Sequence, residues 1–409
     1  QQPRDIPSRL PPKVLDWIGR EGTPNRNRAI RMISEPTFTI GIEEEYIMVD
    51  RNTRSALREA PRGLMDQLVE RLGQQVSTEF LQCQVEVGTR VCRSIEEARD
   101  DLYRLRQVLA NVLDEYGLGF IAASTHPFAT AGELEQTHKP RYQALAEDLQ
   151  QVIRRLLISG MHVHVGVEDD ELRMDMLGQA AYILPHLLAL STSSPFWQGR
   201  DTGLKSYRIS VWDEMPRTGL PGQFASYAEY RRHVDILVQA GVIEDATKIW
   251  WDLRPSERFP TLEMRITDVC TSIDDAICIA AMFRCWLRLL YRLRMNNQRW
   301  RRYEPMLIEE NRWRAHRYGI DGELIDFGRG ALIPYSELLD EILDLIREDA
   351  ESFNCVSEVE HARQILAGGS SSHRQLGVYQ SASERGADHQ EALDAVVDHL
   401  QAETKRGPS

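Results

Sequence analysis

The sequence lacks the features that mark several large protein classes. The long apolar stretch 170–190 is too short and too polar at its ends to cross a bilayer, and residues 1–20 carry prolines and charges where a signal peptide has its apolar centre. The six cysteines include no CxxC pair, which argues against a thiol-based metal or redox site. We therefore predict a cytoplasmic protein without a membrane partner, whose cysteines are reduced and buried.

Two further absences bear on function. With a formal net charge of −13, the chain lacks the basic surface that a phosphate-backbone binder needs, so we predict no nucleic-acid partner. No glycine-rich phosphate loop follows any predicted strand, which argues against a nucleotide fold of the Rossmann or P-loop kind. The chain also shows no internal repeat.

What the sequence does contain is a mixture of strand and helix patterns over most of its 409 residues. Residues 1–36 are rich in Pro, Arg and Asn and are predicted to form an N-terminal arm, with a short helix at 12–20. We predict an α+β domain over residues 37–372 and a C-terminal helical tail over residues 373–409.

Hydrophobic periodicity and capping residues predict the individual elements. Strands are expected at 38–49, 82–89, 118–124, 156–167 and 261–268. Helices are expected at 61–72, 94–116, 141–154, 170–190, 226–240, 272–297 and 387–404, and the region after 305 is expected to be mainly helical. The connection 191–223 is long and rich in Gly, Pro and Arg, which is typical of a lid or binding loop.

Four of these strands carry polar residues on one side only. Side chains alternate between the two faces of a strand, so residue parity separates the faces. A solvated outer face would give the same alternation in any one strand. Four such strands without lysine favour a sheet with a polar front over a cavity and an apolar back against helices. The polar sides hold Thr39, Gly41, Glu43 and Glu45; Gln82, Gln84, Glu86 and Gly88; His162, His164 and Gly166; and Thr261, Glu263, Arg265 and Thr267.

This polar side has the composition of a metal site. Several carboxylates close together repel one another unless cations bind, and carboxylate oxygens with an occasional imidazole suit Mg²⁺ or Mn²⁺ better than a structural zinc site. A converging arginine such as Arg265 is typical of phosphoryl transfer, because it neutralises charge that grows on the transferred group.

Three short segments then resemble the glutamine synthetase superfamily. Residues 41–45 (GIEEE) are similar to its GxExE strand, 160–164 (GMHVH) to its GMHxH strand, and 262–265 (LEMR) to its third motif strand. Three motifs in the same order are specific, whereas each alone is weak. Segments 193–202, 251–256, 312–315 and 317–319 narrow the resemblance to the bacterial carboxylate–amine ligases, or type 2 glutamate–cysteine ligases, across about 37–372.

The resemblance implies a curved antiparallel sheet backed by helices. It also implies an enzyme that uses ATP to convert a carboxylate, with glutamate as the first candidate, into an acyl phosphate. An amine or amino acid then displaces phosphate to give an amide. Carried over motif by motif, it implies that Glu45 and Glu86 hold one Mg²⁺ or Mn²⁺ ion. A second ion, which bridges the ATP phosphates, is expected to be held by Glu43, His162 and Glu263. His164 and Arg265 are expected to contact the phosphates.

Other residues are weaker candidates. Arg254, between two tryptophans and a proline, is expected to face phosphate, although a surface salt bridge would explain it too. Arg200 and Arg208 are candidates for a substrate carboxylate, with simple solvation equally open. Glu44 has the wrong parity and is expected to be structural, and Glu79 would need a bulge to act as a ligand.

Two other functions fit the same residues. A guanidino phosphotransferase would share the metal cluster but would need a reactive cysteine, for which Cys270 is the only candidate. A non-catalytic metal- or nucleotide-binding regulator is the other alternative, although it would have no need to keep Arg265. The resemblance further implies a homodimer or larger homo-oligomer.

Overall fold

An antiparallel sheet forms the centre of the fold. The computed structural model describes residues 34–130, 132, 134–137 and 155–408. Its strands are β1 (Ile40–Asp50), β2 (Val76–Thr78), β3 (Gln84–Gly88), β4 (Leu118–Ile121), β5 (Met161–Gly166), β6 (Phe196–Trp197), β7 (Arg200–Asp201), β8 (Leu253–Pro255), β9 (Thr261–Met264), β10 (Glu323–Asp326) and β11 (Ala331–Pro334). Seven of them form one sheet in the order β2-β3-β1-β5-β9-β8, with β4 paired to β1.

Helices surround this sheet. They are α1 (Leu64–Leu72), α2 (Ile95–Glu115), α3 (Asp170–Ala180), α4 (Leu184–Ser191), α5 (Tyr207–Trp212), α6 (Tyr227–Gln239), α7 (Ile273–Met295), α8 (Pro305–Tyr318), α9 (Tyr335–Ser352), α10 (Val356–Glu360), α11 (Ala362–Gly368), α12 (Ser371–Glu384) and α13 (His389–Thr404). All pairings within the large sheet are antiparallel. The predicted α+β class with an antiparallel sheet is therefore confirmed.

Strand register brings the predicted polar sides together. Residues directly opposite each other in antiparallel strands point to the same face. The opposite pairs are Glu45 with Glu86, Glu43 with His162, His164 with Glu263, and Arg254 with Glu263. The parity prediction is confirmed for β1, β3, β5 and β9, and we call this face of the sheet the front.

The back of the sheet packs on helices. Alternate residues of β1, including Ile42, Tyr46 and Met48, are buried there, and α2 contacts β1 while α7 contacts β5. Helix α2 begins where its sequence predicts, because the Ser94 hydroxyl accepts a hydrogen bond from the Glu97 backbone N–H at 3.1 Å. It ends before Gly117, whose φ of +71° is one that glycine adopts without strain.

Two predictions about single segments are wrong. The stretch 170–190 is not one helix, because α3 gives way to a 3₁₀ turn at Ala181–Ile183 and α4 begins with Pro185 in its first turn. Proline is accepted there because the first N–H groups of a helix have no intrahelical partner. The connection 191–223 is not free of regular structure, since it contains the β6–β7 hairpin and α5. Strand β8 and the β10–β11 hairpin were not predicted.

The C-terminal helices pack against the rest of the described fold. Residues 36–408 pack as one unit, and α12 runs across the predicted boundary at 372. Leu393, Val396 and Leu400 of α13 are buried in the same hydrophobic cluster as Ile47 of β1. The division of the chain into arm, domain and tail stays a prediction. The predicted helices 12–20 and 141–154 lie outside the described residues.

None of the described helices is both long and apolar enough to cross a membrane. The predicted cytoplasmic location and homo-oligomeric state stay predictions.

Candidate active site

A cleft of about 510 Å³ lies over the front of the sheet. Eight of the ten predicted site residues line it. They are Glu43, Glu45, Glu86, His162, His164, Arg254, Glu263 and Arg265. These side chains come from five strands or strand ends, so the sheet register alone fixes their relative positions. The cleft is therefore built on the central sheet of the fold.

Acidic and histidine side chains form three overlapping groups, each with ligand atoms within 4.8 Å of one another. The groups are Glu43 with Glu86 and His162, Glu43 with His164 and Glu263, and Glu45 with Glu79 and Glu86. The predicted ligands are all present, but they are distributed differently. The resemblance implied that His162 would join Glu43 and Glu263. In the structure His164 lies beside these two carboxylates, and His162 lies in the group that contains Glu86.

Glu43 lies between the two histidines. Its Oε2 is 3.3 Å from Nδ1 of His162, and its Oε1 is 3.5 Å from Nε2 of His164. Burial raises the pKa of Glu43, but hydrogen bonds and charges from both histidines outweigh it and hold that pKa well below its usual value. Burial and the Arg265 charge lower the pKa of His162, whereas the contacts of His164 with Glu43 overcome its burial and raise its pKa.

The third group, Glu45, Glu79 and Glu86, has a large excess of negative charge. Burial raises the pKa of Glu86 well above its usual value, and the charges of Glu79, Glu43 and Glu45 raise it further. Glu45 is held in place by the Gly160 backbone N–H, which donates to its Oε2 at 2.7 Å. Such a cluster of partly buried oxygen ligands fits a hard divalent cation, since the cation removes the repulsion that raises the pKa of Glu86.

Two arginines bind the remaining carboxylate. The Arg254 Nε and Nη2 atoms donate to both oxygens of Glu263 at 2.8 and 2.9 Å, and Arg265 Nη1 donates to Oε1 at 2.5 Å. Burial raises the pKa of Glu263, but the two guanidinium groups outweigh it and lower that pKa. The carboxylate is therefore ionised and held in one orientation, and both arginines face the cleft beside the proposed ligands.

Arg200 and Arg208 do not line the cleft. Arg200 is exposed on the short β6–β7 hairpin. Arg208 is buried, and its Nη1 and Nη2 atoms donate to the backbone carbonyls of Ile266 and Arg265 at 3.1 and 3.0 Å. Arg208 thus supports the backbone that carries Arg265, and neither guanidinium faces the described part of the cleft.

Glu79 is the ligand candidate that parity analysis left out of the first rank. It lies one residue beyond the end of β2, and its carboxylate joins the group of Glu45 and Glu86. Residue parity applies only within a strand, so it could not place a side chain in the turn between β2 and β3. Glu44, by contrast, faces the back as predicted and pairs with Arg106.

The cysteines agree with the prediction of reduced core residues. All six are free and buried. Cys270 does not line the cleft, and burial raises its pKa well above its usual value. The described cleft therefore offers no reactive thiol for the guanidino phosphotransferase alternative.

Solved structures with the same fold are ligases that form amide bonds. The chain aligns with a bifunctional glutathione synthetase from Pasteurella multocida at a TM-score of 0.65 and 15% identity, over 90% of this chain and 52% of that one. It aligns equally well, at 0.65 and 15%, with a glutamate–cysteine ligase from Francisella tularensis in complex with AMP, over 90% of this chain and 89% of that one. At such low identity the likeness shows the fold alone, which is that of the carboxylate–amine ligases.

Sequence comparison narrows the class to one family. Residues 39–399 match glutamate–cysteine ligase family 2. Proteins provisionally named glutamate–cysteine ligase 2 are 60% identical in Rhodospirillum rubrum and 53% identical in Jannaschia, over 90% of this chain and 96% and 97% of theirs. The chain belongs to glutamate–cysteine ligase family 2 and is an ATP-dependent carbon–nitrogen ligase.

Proposed function

We propose that the protein joins the side-chain carboxylate of glutamate to an amine through an acyl phosphate formed from ATP. The observation that carries the proposal is the sharing of Glu43 and Glu86 among three ligand groups directly beside two arginines. Sites for two cations next to guanidinium groups suit transfer of a phosphoryl group to a carboxylate. The provisional names of the relatives support glutamate as the donor.

The ligands proposed for Mg²⁺ or Mn²⁺ fall into two groups. Glu45, Glu79 and Glu86 form one. Glu43, Glu263 and the histidines His162 and His164 form the other, which adjoins the arginines. Oxygen ligands with one or two imidazoles favour these ions over zinc. Bound there, the ions supply neutralising charge for the phosphate oxygens.

The arginines and histidines of this site have separate roles in the proposal. Arg254 and Arg265 bind the phosphoryl group as charge develops on it, and Glu263 orients both guanidinium groups. The buried Nε2 atom of His164 lies 3.5 Å from Oε1 of Glu43 and lines the cleft, where it is available to a phosphate oxygen or a cation.

The proposed reaction has two steps. A carboxylate oxygen of the donor attacks the γ-phosphorus of ATP, and the bond from that phosphorus to the β–γ bridging oxygen breaks, so ADP leaves with the electron pair. The amine nitrogen then attacks the acyl carbon, the bond to the phosphate oxygen breaks, and inorganic phosphate leaves. The amine gives up one proton and an amide remains.

The test is ADP release by the purified protein with Mg²⁺, ATP, glutamate and a panel of amines that includes cysteine. We expect release that depends on both glutamate and an amine. Glu263→Ala should abolish it, because the substitution removes a cation ligand and frees both arginines. The matched control is Glu323→Ala, which truncates an exposed glutamate on β10. ADP that never appears, or that appears equally without a carboxylate substrate, would refute the proposal.

A further inference from the structure

The lining of the cleft varies in chemistry. In one part, Arg254 Nη1 donates to the Thr247 carbonyl at 3.1 Å, and the exposed Phe259 ring lies 6.1 Å from the His164 ring. Lys248 and Arg258, which are next to Thr247 and Phe259 in the chain, also line the cleft. Cationic side chains with an exposed aromatic ring suit a nucleotide, whose phosphates are anionic and whose base can stack.

Another part of the lining is apolar. Its six side chains come from four segments of the chain, and we call them the apolar wall: Phe80, Leu156, Ile158, Trp212, Met215 and Trp250. Five of the six are at most 9% exposed, and Trp212 packs against the same hydrophobic cluster. Their positions are therefore fixed by the core, and the wall is a permanent feature of the cleft.

The apolar wall adjoins the acidic group of Glu45, Glu79 and Glu86. Phe80 directly follows Glu79, and its backbone N–H donates to the Glu79 carboxylate at 3.3 Å. Ile158 lies two residues before Gly160, the residue that binds Glu45. Acidic oxygens and apolar carbon surfaces therefore meet in this part of the cleft.

The wall also reaches the group that is proposed to bind the transferred phosphoryl group. The Trp212 ring lies 5.8 Å from Cζ of Arg265. Arg265 is buried, lines the cleft, and has an Nε atom without a hydrogen-bond partner among the described residues. A buried donor in this position needs an acceptor. The oxygen of an acyl group held between Arg265 and the wall would supply one.

We infer that the acceptor of the ligase is an amine with an apolar body larger than the cysteine side chain, an alkyl or arylalkyl amine that is an ammonium ion in neutral solution. A cation with an apolar body matches a part of the cleft where carboxylates meet an apolar wall. Three carboxylates retain one negative charge after a divalent cation binds, which equals the charge of one ammonium group. This inference rests on the proposed ligase function and specifies its second substrate.

The reaction with such an acceptor follows the second step given above. The ammonium ion first loses a proton to water. The neutral nitrogen attacks the acyl carbon, the carbon–oxygen bond to phosphate breaks, and phosphate leaves with the electron pair. The second nitrogen proton that is lost goes to water, and the apolar body stays against the wall throughout.

A series of straight-chain amines tests the inference on the unmodified protein. Ethylamine, butylamine and hexylamine have nearly equal basicity and differ mainly in apolar area. With ATP, Mg²⁺ and glutamate, we expect kcat/KM for amide formation, measured by mass spectrometry, to rise by about fourfold per added methylene. A flat series, or a kcat/KM for cysteine above that for hexylamine, would overturn the inference.

Hydroxylamine separates this inference from the proposed function. It is a small nucleophile that needs no apolar site, so hydroxamate formation reports carboxylate activation alone. Hydroxamate together with a flat amine series refutes only the apolar acceptor. The absence of product with every acceptor refutes the proposed function and, with it, the inference.

A matched pair of methionine variants locates the amine. Met215→Ala removes part of the apolar wall, and we expect the ratio of hexylamine to hydroxylamine activity to fall about tenfold. Met306→Ala makes the same change on α8, where the side chain is 76% exposed, and the ratio should stay as in the unmodified protein. An unchanged ratio in Met215→Ala would mean that the amine binds elsewhere. Because the amine series needs no substitution, the inference stays testable if Met215→Ala does not fold.

Discussion

Glutamate side chains on the two faces of β1 have opposite electrostatic environments. Glu44 on the back is completely buried and fully paired: the Arg106 Nη2 and Nε atoms donate to its two oxygens at 2.8 and 2.9 Å, and the Tyr46 hydroxyl also donates to it. The other Arg106 donors bind the Thr271 and Cys270 carbonyls, both at 2.8 Å. The back of the sheet needs no ligand to be electrostatically complete.

On the front of the same strand, the described cations do not balance the carboxylate charges. Glu43 and Glu45 share the cleft with Glu79 and Glu86, and the described cations beside them, Arg254 and Arg265, are bound chiefly to Glu263. Burial, together with the charges of Glu79, Glu43 and Glu45, raises the pKa of Glu86 well above its usual value. Stability therefore resides on the back of β1, while the front holds unfavourable charge that a bound cation relieves.

The largest effect that this comparison predicts is on the back. Arg106→Met leaves Glu44 buried without its partner, so we expect the free energy of unfolding to fall by about 3–5 kcal/mol. Urea unfolding followed by circular dichroism measures it. The double variant Glu44→Met/Arg106→Met is the control and should recover most of the loss, because no charge remains buried. A loss below about 1 kcal/mol in the single variant would show that the ion pair does not hold the two layers together.

A smaller effect of opposite sign is expected on the front. In EDTA, Glu86→Gln should raise the free energy of unfolding by on the order of 1 kcal/mol at neutral pH, the size of a typical single-site effect. The raised pKa of Glu86 means that the folded protein holds a proton that the unfolded chain has lost. Stability from this group is thus present below the usual glutamate pKa and is lost as the pH rises through the raised value.

The measurement is unfolding as a function of pH with and without Mg²⁺. The unmodified protein should lose stability with rising pH in EDTA and regain it with Mg²⁺, and Glu86→Gln should show weaker versions of both. If Glu86→Gln destabilises the metal-free protein as much as the back-face variant does, the two faces do not differ as described.

Residue parity predicted the difference between the faces because it depends only on backbone geometry. Alternation within β1, β3, β5 and the β9 region placed Glu43, Glu45, Glu86, His162 and Glu263 on one side and Glu44 on the other, and the register confirmed this arrangement. Parity carries no information where strands end, so Glu79 was left in doubt.

Long-range packing accounts for what else the sequence could not predict. Strand β8 has three residues, and one is a proline, so local periodicity is too short to reveal it. Arg208 follows a loop rich in Gly and Pro and looks solvated in sequence, yet α5 buries it against the carbonyls of Arg265 and Ile266. The apolar wall combines four segments of the chain, and no local pattern predicts that they meet.

The smallest effect concerns Arg200, which belongs to neither face. The arginines that line the described cleft are Arg254, Arg258 and Arg265. The excess of negative charge on the front holds only if Arg200, which was predicted from sequence to bind a substrate carboxylate, does not join them. Because it is exposed on the β6–β7 hairpin, Arg200→Ala should change the free energy of unfolding by less than about 0.5 kcal/mol and leave the KM for glutamate within about twofold. Steady-state kinetics with glutamate varied at saturating ATP measures this. A tenfold rise in that KM would mean that the hairpin supplies a cation to the cleft during turnover. The negative charge on the front would then be balanced in part by an arginine of the protein and not by a bound metal alone.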